Sequence, residues 1–409
     1  MNILIVSQYF WPENFRINDL AKSLGEIGHT VTVLTGLPNY PEGKIYKGYK
    51  WKITVENHQN IEIIRIPLIP RGNASNFRLF LNYFSFAFLA SVFSPYLLRN
   101  KAIDSIFIYG GSPLTKAIPA ILIGRIKKAP IFLWILDLWP ESVFVNNRIK
   151  SKLVFRLIES MTKWVYRNSD YILAQSKAMF EPVIKNGGAE EKLIYFPSWA
   201  EDLFLEETEN YTDKELIDKM PKGFYITFAG NVGEGQDIET IVDAAEELKD
   251  LQFIHWIILG YGSKYEWLVN NIKERCLDNV HVLGKRPLET MPMYFEFSDV
   301  LLASLKKKRI YALTLPGKVQ SYMASSKPII AMIDGESSII IKESQSGLSV
   351  ASEDKDGLVD AVIRMSKMSE KELEQMGKNG RKYYLENFHI KKSLEKLNNL
   401  FSDSQKFRD

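Results

Sequence analysis

Cysteine is nearly absent from this 409-residue chain, which contains only Cys276. One cysteine cannot form an internal disulfide, and it cannot supply a zinc site built from cysteines. The chain also has no low-complexity tract and no internal repeat of short fixed period. No signal peptide is expected at its start, because Met1 runs directly into an apolar strand. This composition fits a globular enzyme in a reducing, cytosolic setting, and we expect Cys276 to be buried.

Positive charge is unevenly distributed along the chain, although the net charge is only +3. Residues 1–200 carry 24 lysines and arginines against 14 acidic residues, whereas residues 201–409 carry 28 against 35. A basic first half suggests a polyanionic neighbour, such as phospholipid, a lipid diphosphate or nucleic acid. Mutual attraction between two domains explains the same asymmetry, so charge alone leaves both readings open.

Apolar strands alternate with helical patterns through both halves, which predicts an α/β fold with two doubly wound domains. Ligands of such folds bind outside the carboxyl ends of the strands. The loop after the first strand, Gln8–Asn18, is therefore one candidate site. It holds Glu13, Asn14 and Arg16 beside aromatic residues, a mixture that suits a sugar. An ordinary structured loop is the alternative.

A second candidate site follows the buried strand in the segment 130–142. Asp137 and Glu141 stand at its carboxyl end, where two carboxylates can orient a hydroxyl and accept its proton. Helix capping by Asp137 and a solvated Glu141 are the alternative.

The second half opens with a strand, a glycine turn and a helix over residues 225–247. Such a turn exposes backbone N–H groups at the positive end of a helix, which suits a phosphate or diphosphate. The spacing matches neither a dinucleotide fingerprint nor a P-loop, so tight packing is the alternative. We expect Asp237 to cap the helix. Lys318 opens a later helix, where a cation is unfavourable unless an anion is bound.

The most apolar stretch of the chain, residues 77–98, is near the roughly 20 residues that span a bilayer. Arg78, Asn82 and Pro95 argue against a span. A helix buried on the sheet and an interfacial helix on a membrane surface both remain open. Arg65, Arg71, Arg99 and Lys101 flank the stretch, as an anionic membrane would favour.

These motifs resemble those of GT-B glycosyltransferases, specifically the retaining sucrose-synthase and mannosyltransferase-like family (family 4). The resemblance covers nearly the whole chain and includes the motifs DLWPES, AGNVGEGQ, LGYGS and LPGKVQSYMASSKPII. The opening, QYFWPENFRINDLAKSLGEIGHTVTVLTGLPNYPEGKIYKGY, is similar to bacterial N-acetyl-L-fucosaminyl transferases of O-antigen and capsule synthesis. The resemblance implies two Rossmann-like domains that face a central cleft.

The resemblance also implies a UDP-activated deoxy amino sugar as donor and a polyprenyl-diphosphate-linked saccharide as acceptor, at the cytoplasmic membrane face. Five positions depart from the family pattern. Ala312 and Gln320 stand where the family has two glutamates, and Gln320 is expected near the ribose. Asn231 and Gln236 replace a basic pair after the glycine turn, and Leu136 replaces a histidine. The residues then expected to bind the donor are Gly230, Asn231, Gly233, Gln236, Arg286, Arg309, Pro316, Lys318 and Gln320.

The sequence thus predicts a glycosyltransferase that needs no metal and no cofactor, because a helix N-terminus and a lysine can offset the leaving-group charge. We expect acceptor activation by Asp137, Glu141 or Glu13, with Asn14 and Arg16 beside the substrate. We expect a peripheral protein on the cytoplasmic face of the inner membrane that binds no nucleic acid.

The expected domains are residues 1–200, a linker over 201–222, residues 223–385, and a C-terminal helix over 386–409 that crosses back to the first domain. Two alternatives remain open. A UDP-N-acetylhexosamine 2-epimerase shares this architecture, and a non-catalytic subunit would bind a sugar nucleotide without turning it over.

Overall fold

The computed structural model of the protein describes residues 1–144, 151–206 and 219–406. The chain divides into two compact units, Met1–Phe196 with Ser393–Asp409 (unit 1) and Pro197–Lys392 (unit 2). The linker expected over 201–222 falls largely on residues 207–218, which lie outside the described residues.

Unit 1 is built on an eight-stranded sheet in the order β3-β4-β2-β1-β5-β6-β7-β8. All neighbours are parallel except β3 and β4. The central strands read as continuous apolar runs because helices cover both faces of a parallel sheet. The strands are β1 Asn2–Val6, β2 Thr30–Gly36, β3 Thr54–His58, β4 Ile61–Ile66, β5 Ser105–Gly110, β6 Ile131–Ile135, β7 Tyr171–Ala174 and β8 Leu193–Tyr195. The helices are α1 Arg16–Glu26, α2 Asn76–Leu97, α3 Ala117–Lys127, α4 Glu141–Phe144, α5 Lys152–Arg167 and α6 Phe180–Lys185.

Unit 2 contains a six-stranded parallel sheet in the order β11-β10-β9-β12-β13-β14. Its strands are β9 Phe224–Ala229, β10 Ile254–Leu259, β11 Val280–Gly284, β12 Val300–Ser304, β13 Ile329–Met332 and β14 Gly347–Val350. Its helices are α7 Ile238–Glu247, α8 Tyr265–Glu274, α9 Met291–Phe297, α10 Arg309–Ala312, α11 Gly317–Ala324, α12 Glu336–Ser344, α13 Lys355–Ser366 and α14 Glu370–Asn387. A last helix, α15 Ile390–Lys406, runs into the C-terminal segment of unit 1.

Each sheet is doubly wound, so the prediction of two α/β domains is confirmed. The strand order reverses between β1 and β5 in unit 1 and between β9 and β12 in unit 2. Open α/β sheets bind ligands outside the carboxyl ends of the strands at such switch points. The loops after these four strands are therefore where each unit is expected to bind a ligand.

Two expectations about burial are wrong. Cys276 is exposed rather than buried, because it follows the last turn of α8 at the surface. Arg65 is fully buried in β4 instead of facing a membrane. Its guanidinium pairs with Glu56 at 2.6 Å and donates to the carbonyl oxygen of Trp11, which balances the buried charge.

Candidate functional site

The glycine turn of unit 2 connects β9 to α7 at the switch point. Gly230 has a φ of 146°, a conformation that residues with a side chain rarely adopt. Gly260, which follows β10, has a φ of 139°, and a Cβ atom there would lie 1.7 Å from the carbonyl oxygen of Gly230. Two backbone turns therefore approach each other so closely that only glycine fits between them.

Lys318 lies beside this turn, in the first turn of α11 after the N-cap Pro316. Its Nζ donates to the side-chain oxygen of Gln236 at 2.5 Å and lies 3.9 Å from the centre of the Phe228 ring. No carboxylate in the described part of the chain pairs with it. Burial lowers the pKa of Lys318 to about 7. A desolvated lysine with only neutral partners at a helix N-terminus is suited to an incoming anion.

The other residues expected in unit 2 are distributed around the turn. Asn231 is exposed, and a Cβ atom on Gly233 would lie 2.4 Å from its side-chain nitrogen. Arg286 follows β11 and is partly buried, whereas the exposed Arg309 opens α10. Gln320 is fully buried and donates to the carbonyl oxygen of Ser198 at 2.6 Å.

Two further features modify the predictions for this turn. Asp237 stands at the N-cap of α7 in a left-handed conformation, φ 51°, and its side chain accepts no hydrogen bond from the helix backbone. The predicted side-chain cap is therefore wrong.

Lys306, in the basic run after β12, pairs with Glu239 at 3.1 Å, and Lys264 pairs with the same carboxylate at 2.9 Å. These two lysines are thus partly neutralised, unlike Lys318.

In unit 1, Glu13 lies in the loop after β1 and is only 2% exposed. Its Oε1 accepts the backbone N–H groups of Asn39 and Tyr40, both at 2.7 Å, and its Oε2 accepts that of Phe10 at 3.2 Å. Burial raises the pKa of Glu13 to about 7 despite these bonds. With both oxygens engaged, this geometry favours a role in joining two loops over direct proton transfer.

Asp137 and Glu141 contact different parts of unit 1. Asp137 follows β6 and accepts the backbone N–H of Ser112, in the turn after β5, at 2.8 Å. Glu141 opens α4, and its Oε1 accepts a hydrogen bond from the side chain of Asn186 at 3.1 Å. Of these two carboxylates, only that of Asp137 therefore reaches the turn after β5, a switch-point strand. Asn14 is exposed, and Arg16 lies 4.0 Å from Asp19 at the start of α1.

The sequence reading missed Lys116, which precedes α3 at the same switch point and is only 1% exposed. Its Nζ lies 5.3 Å from the centre of the Tyr109 ring, and burial lowers its pKa to about 7. A glycine turn followed by a lysine at a helix N-terminus is the pattern that pointed to Lys318. Residues 110–116 show the same pattern, so the sequence carries a signal for Lys116 as well.

Helix α2 exposes a continuous apolar face. Among the described residues it is the one helix long and apolar enough to cross a membrane, by length and composition only. The opposite face of α2, which includes Asn82 and Phe86, is buried in unit 1. The large apolar side chains on the exposed face of α2 are Phe77, Phe80, Phe84, Phe88, Val92, Phe93 and Tyr96.

Comparison with known proteins agrees with this architecture. Residues 223–368 match the family described as Glycosyl transferases group 1. The chain is 25% identical over 342 residues to WcaI of Escherichia coli K12, a glycosyl transferase assigned to colanic acid biosynthesis, with 79% of this chain and 81% of WcaI covered.

Two solved structures show the same fold over nearly the whole chain. Sucrose-phosphate synthase from Thermosynechococcus elongatus superposes with a TM-score of 0.73 at 15% identity, covering 98% of each chain. HepE from Anabaena, solved with UDP and glucose, superposes with a TM-score of 0.68 at 12% identity, covering 98% of this chain and 99% of HepE. The structural likenesses identify the two-unit GT-B fold, and the match over residues 223–368 together with the likeness to WcaI supports a glycosyltransferase.

Proposed function

We propose that the protein transfers a sugar from a UDP-sugar to a polyprenyl-diphosphate-linked saccharide during the synthesis of a cell-surface polysaccharide. The sugar transferred is N-acetyl-L-fucosamine or a related deoxy amino sugar, and the anomeric configuration is retained. The acceptor oxygen bonds to the anomeric carbon on the same face that UDP leaves, UDP departs with the bonding electrons, and the hydroxyl proton passes to a protein carboxylate. Asp137 is the candidate for that carboxylate.

The environment of Lys318 is the observation that carries the proposal. The lysine is desolvated and has only the neutral Gln236 amide as hydrogen-bond partner, at the N-terminus of α11 beside the glycine turn. A UDP diphosphate supplies the missing negative charge, and HepE, which shares the fold, was solved with UDP. Lys318 and the helix N-terminus stabilise the leaving diphosphate, so the proposal requires no metal ion.

Helix α2 is the proposed link to a lipid-bound acceptor. Phe77 and Phe88 are 69% and 67% exposed on its outer face, and the Phe80 and Phe84 rings pack 4.4 Å apart. Monomeric soluble proteins seldom expose so large a contiguous aromatic surface to water. We propose that this face lies in the headgroup region of the cytoplasmic leaflet, with the exposed Arg99 near anionic lipid.

Substitution of Lys318 by methionine tests the donor site. Isothermal titration with UDP should show affinity reduced by about 10-fold or more, since one charge-assisted contact is lost. Lys273→Met, an exposed lysine of α8, is the matched control and should bind like the wild type. Equal UDP affinity in the Lys318 variant would remove this residue from the donor site.

Flotation with vesicles tests the membrane assignment. The wild type should float with vesicles rich in phosphatidylglycerol, and a Phe84→Glu, Phe88→Glu variant should remain in the soluble fraction. Phe253→Glu, an exposed phenylalanine of unit 2, is the control and should float. Equal flotation of all three proteins would argue against docking through α2.

A further inference from the structure

Helix α5 turns an apolar stripe toward solvent. Leu153, Leu157 and Trp164 recur at helical spacing along its outer side and are 67%, 62% and 36% exposed. Its opposite side packs on unit 1 through the buried side chains of Val165 and Tyr166. The apolar side of a surface helix normally faces the core of its own domain, so this outer stripe indicates a contact outside the fold.

Basic side chains line one edge of this stripe. Lys152, Arg156 and Arg167 are exposed there, and none of them pairs with a carboxylate in the described part of the chain. The one acidic residue of α5, Glu159, is partly neutralised by Lys163 at 2.8 Å. Leucine and tryptophan beside lysine and arginine form the composition of a helix that lies in the interface of an anionic membrane.

Helices α2, α3 and α5 lie side by side on one face of the sheet of unit 1. Each leads to a strand further along the order β4-β2-β1-β5-β6-β7, and right-handed crossovers place such helices on the same face. Hydrogen bonds join α3 to both neighbours. Lys127 donates to the carbonyl oxygen of Arg99, which follows α2, and Arg125 donates to the side-chain oxygen of Asn168, which follows α5. The exposed apolar sides of α2 and α5 therefore lie on the same side of unit 1.

Cations stand over aromatic rings at the C-terminal ends of this helical layer. The guanidinium carbon of Arg99 lies 3.7 Å from the centre of the Tyr96 ring, and that of Arg125 lies 5.9 Å from the centre of the Trp164 ring. Helices α2, α3 and α5 together carry seven lysines and arginines and one acidic residue. Aromatic rings beside cations are typical of the headgroup level of a bilayer, and an excess of positive charge attracts anionic lipid.

We propose that α5 is a second contact with an anionic phospholipid bilayer and that it docks together with the exposed face of α2. Leu153, Leu157 and Trp164 enter the headgroup region, and Arg156 and Arg167 bind lipid phosphates. This inference rests on the membrane contact in the proposed function and extends it to a second helix. Two contacts on one side of unit 1 fix its orientation on the membrane, and stable attachment usually takes two such signals.

Titration with phospholipid vesicles tests the apolar stripe without donor or acceptor. The variant Leu153→Glu, Leu157→Glu should bind vesicles of equal parts phosphatidylglycerol and phosphatidylcholine about 10-fold or more weakly than the wild type, because two exposed apolar contacts become charges that the membrane repels. The matched control Ile339→Glu, Leu385→Glu changes two exposed apolar residues on helices of unit 2 and should bind like the wild type.

The same titration at two lipid charges tests the basic edge. Lys152→Gln, Arg156→Gln should weaken binding to the phosphatidylglycerol vesicles by about 10-fold or more and leave binding to pure phosphatidylcholine vesicles unchanged. The control Lys273→Gln, Lys371→Gln replaces two exposed lysines on helices of unit 2 and should keep the wild-type preference for phosphatidylglycerol. Wild-type preference in the Lys152, Arg156 variant would remove the basic edge from the contact.

Other outcomes separate this inference from the proposed function. Wild-type binding by the Leu153→Glu, Leu157→Glu variant, together with lost binding by the Phe84→Glu, Phe88→Glu variant, would overturn the role of α5 and leave docking through α2 intact. A wild-type dimer that dissociates on the α5 substitutions, in a protein that does not bind vesicles, would assign the stripe to a second copy of the chain and overturn the inference. Equal thermal unfolding midpoints show that each variant is folded. UDP release by the wild type tests the transferase proposal separately.

Discussion

The buried carboxyl group of Glu13 should make the stability of unit 1 depend on pH. Its two oxygens join the loop after β1 to the backbone of Asn39 and Tyr40, and burial raises its pKa from the ordinary 4.5 to about 7. Between these pH values the folded protein keeps a proton that the unfolded chain releases. The free energy of unfolding therefore falls as pH rises through this window.

The size of the effect follows from the pKa difference. At about 1.4 kcal/mol per pKa unit, it corresponds to about 3 kcal/mol between pH 4.5 and pH 7. Solvent screening removes little of this value, because the side chain is 2% exposed. The full contribution is present below pH 4.5 and is lost above about pH 7.

Native-state hydrogen exchange of the segment 36–45 measures this contribution directly. Exchange rates are corrected for the intrinsic pH dependence and converted to a local free energy of opening. Glu13→Gln cannot ionise, so its opening free energy should lack the fall seen in the wild type. Glu26→Gln, an exposed glutamate of α1, is the control and should behave like the wild type. A wild-type profile that is flat, or one that rises with pH, would refute the reasoning.

Three further predictions concern single residues. Gly260→Ala should destabilise unit 2 by more than about 2 kcal/mol in urea unfolding and weaken UDP binding, because the new Cβ atom meets the Gly230 carbonyl oxygen. The control Gly25→Ala adds a Cβ atom in open space and should leave the protein as stable as the wild type. UDP binding at pH 7 should be accompanied by the uptake of about half a proton, since Lys318 has a pKa of about 7 and a bound diphosphate raises this pKa. Calorimetric titration in buffers of different ionisation enthalpy measures the proton uptake, and the Lys318→Met variant should show no uptake. Glu56→Ala should lower the free energy of unfolding, measured by urea titration, by about 3 kcal/mol, because Arg65 then keeps a buried and unpaired charge. A loss near zero would contradict this account of the pair.

Much of the fold follows from patterns visible in the sequence. Continuous apolar runs such as residues 131–135 and 224–229 are typical of parallel strands covered on both faces, and both form central strands. The glycine turn at Gly230 and the helix opened by Lys318 were placed correctly because their signals are local. The side chains of Asn231, Arg286 and Arg309 remain site predictions.

What the sequence could not provide is the set of contacts between distant segments. Glu13 reads as a free carboxylate, and only the folded chain brings the backbone N–H groups of Asn39 and Tyr40 to its Oε1. Arg65 reads as one of several basic residues near the apolar stretch. Its position inside an apolar strand, IEIIRI, was the available signal that it is buried and paired.

The central claim is that the protein transfers sugar from a UDP-sugar to a lipid-diphosphate saccharide. Release of UDP from a panel of UDP-sugars, with and without a short-chain prenyl-diphosphate saccharide as acceptor and in the presence of EDTA, tests it most directly. The account predicts that UDP is released from a UDP-deoxy amino sugar when the acceptor is present, that EDTA has no effect, and that the Lys318→Met variant releases little. Conversion of the UDP-sugar without any acceptor would point to the 2-epimerase, and UDP binding without release from any donor would point to a non-catalytic subunit; either result would contradict the claim.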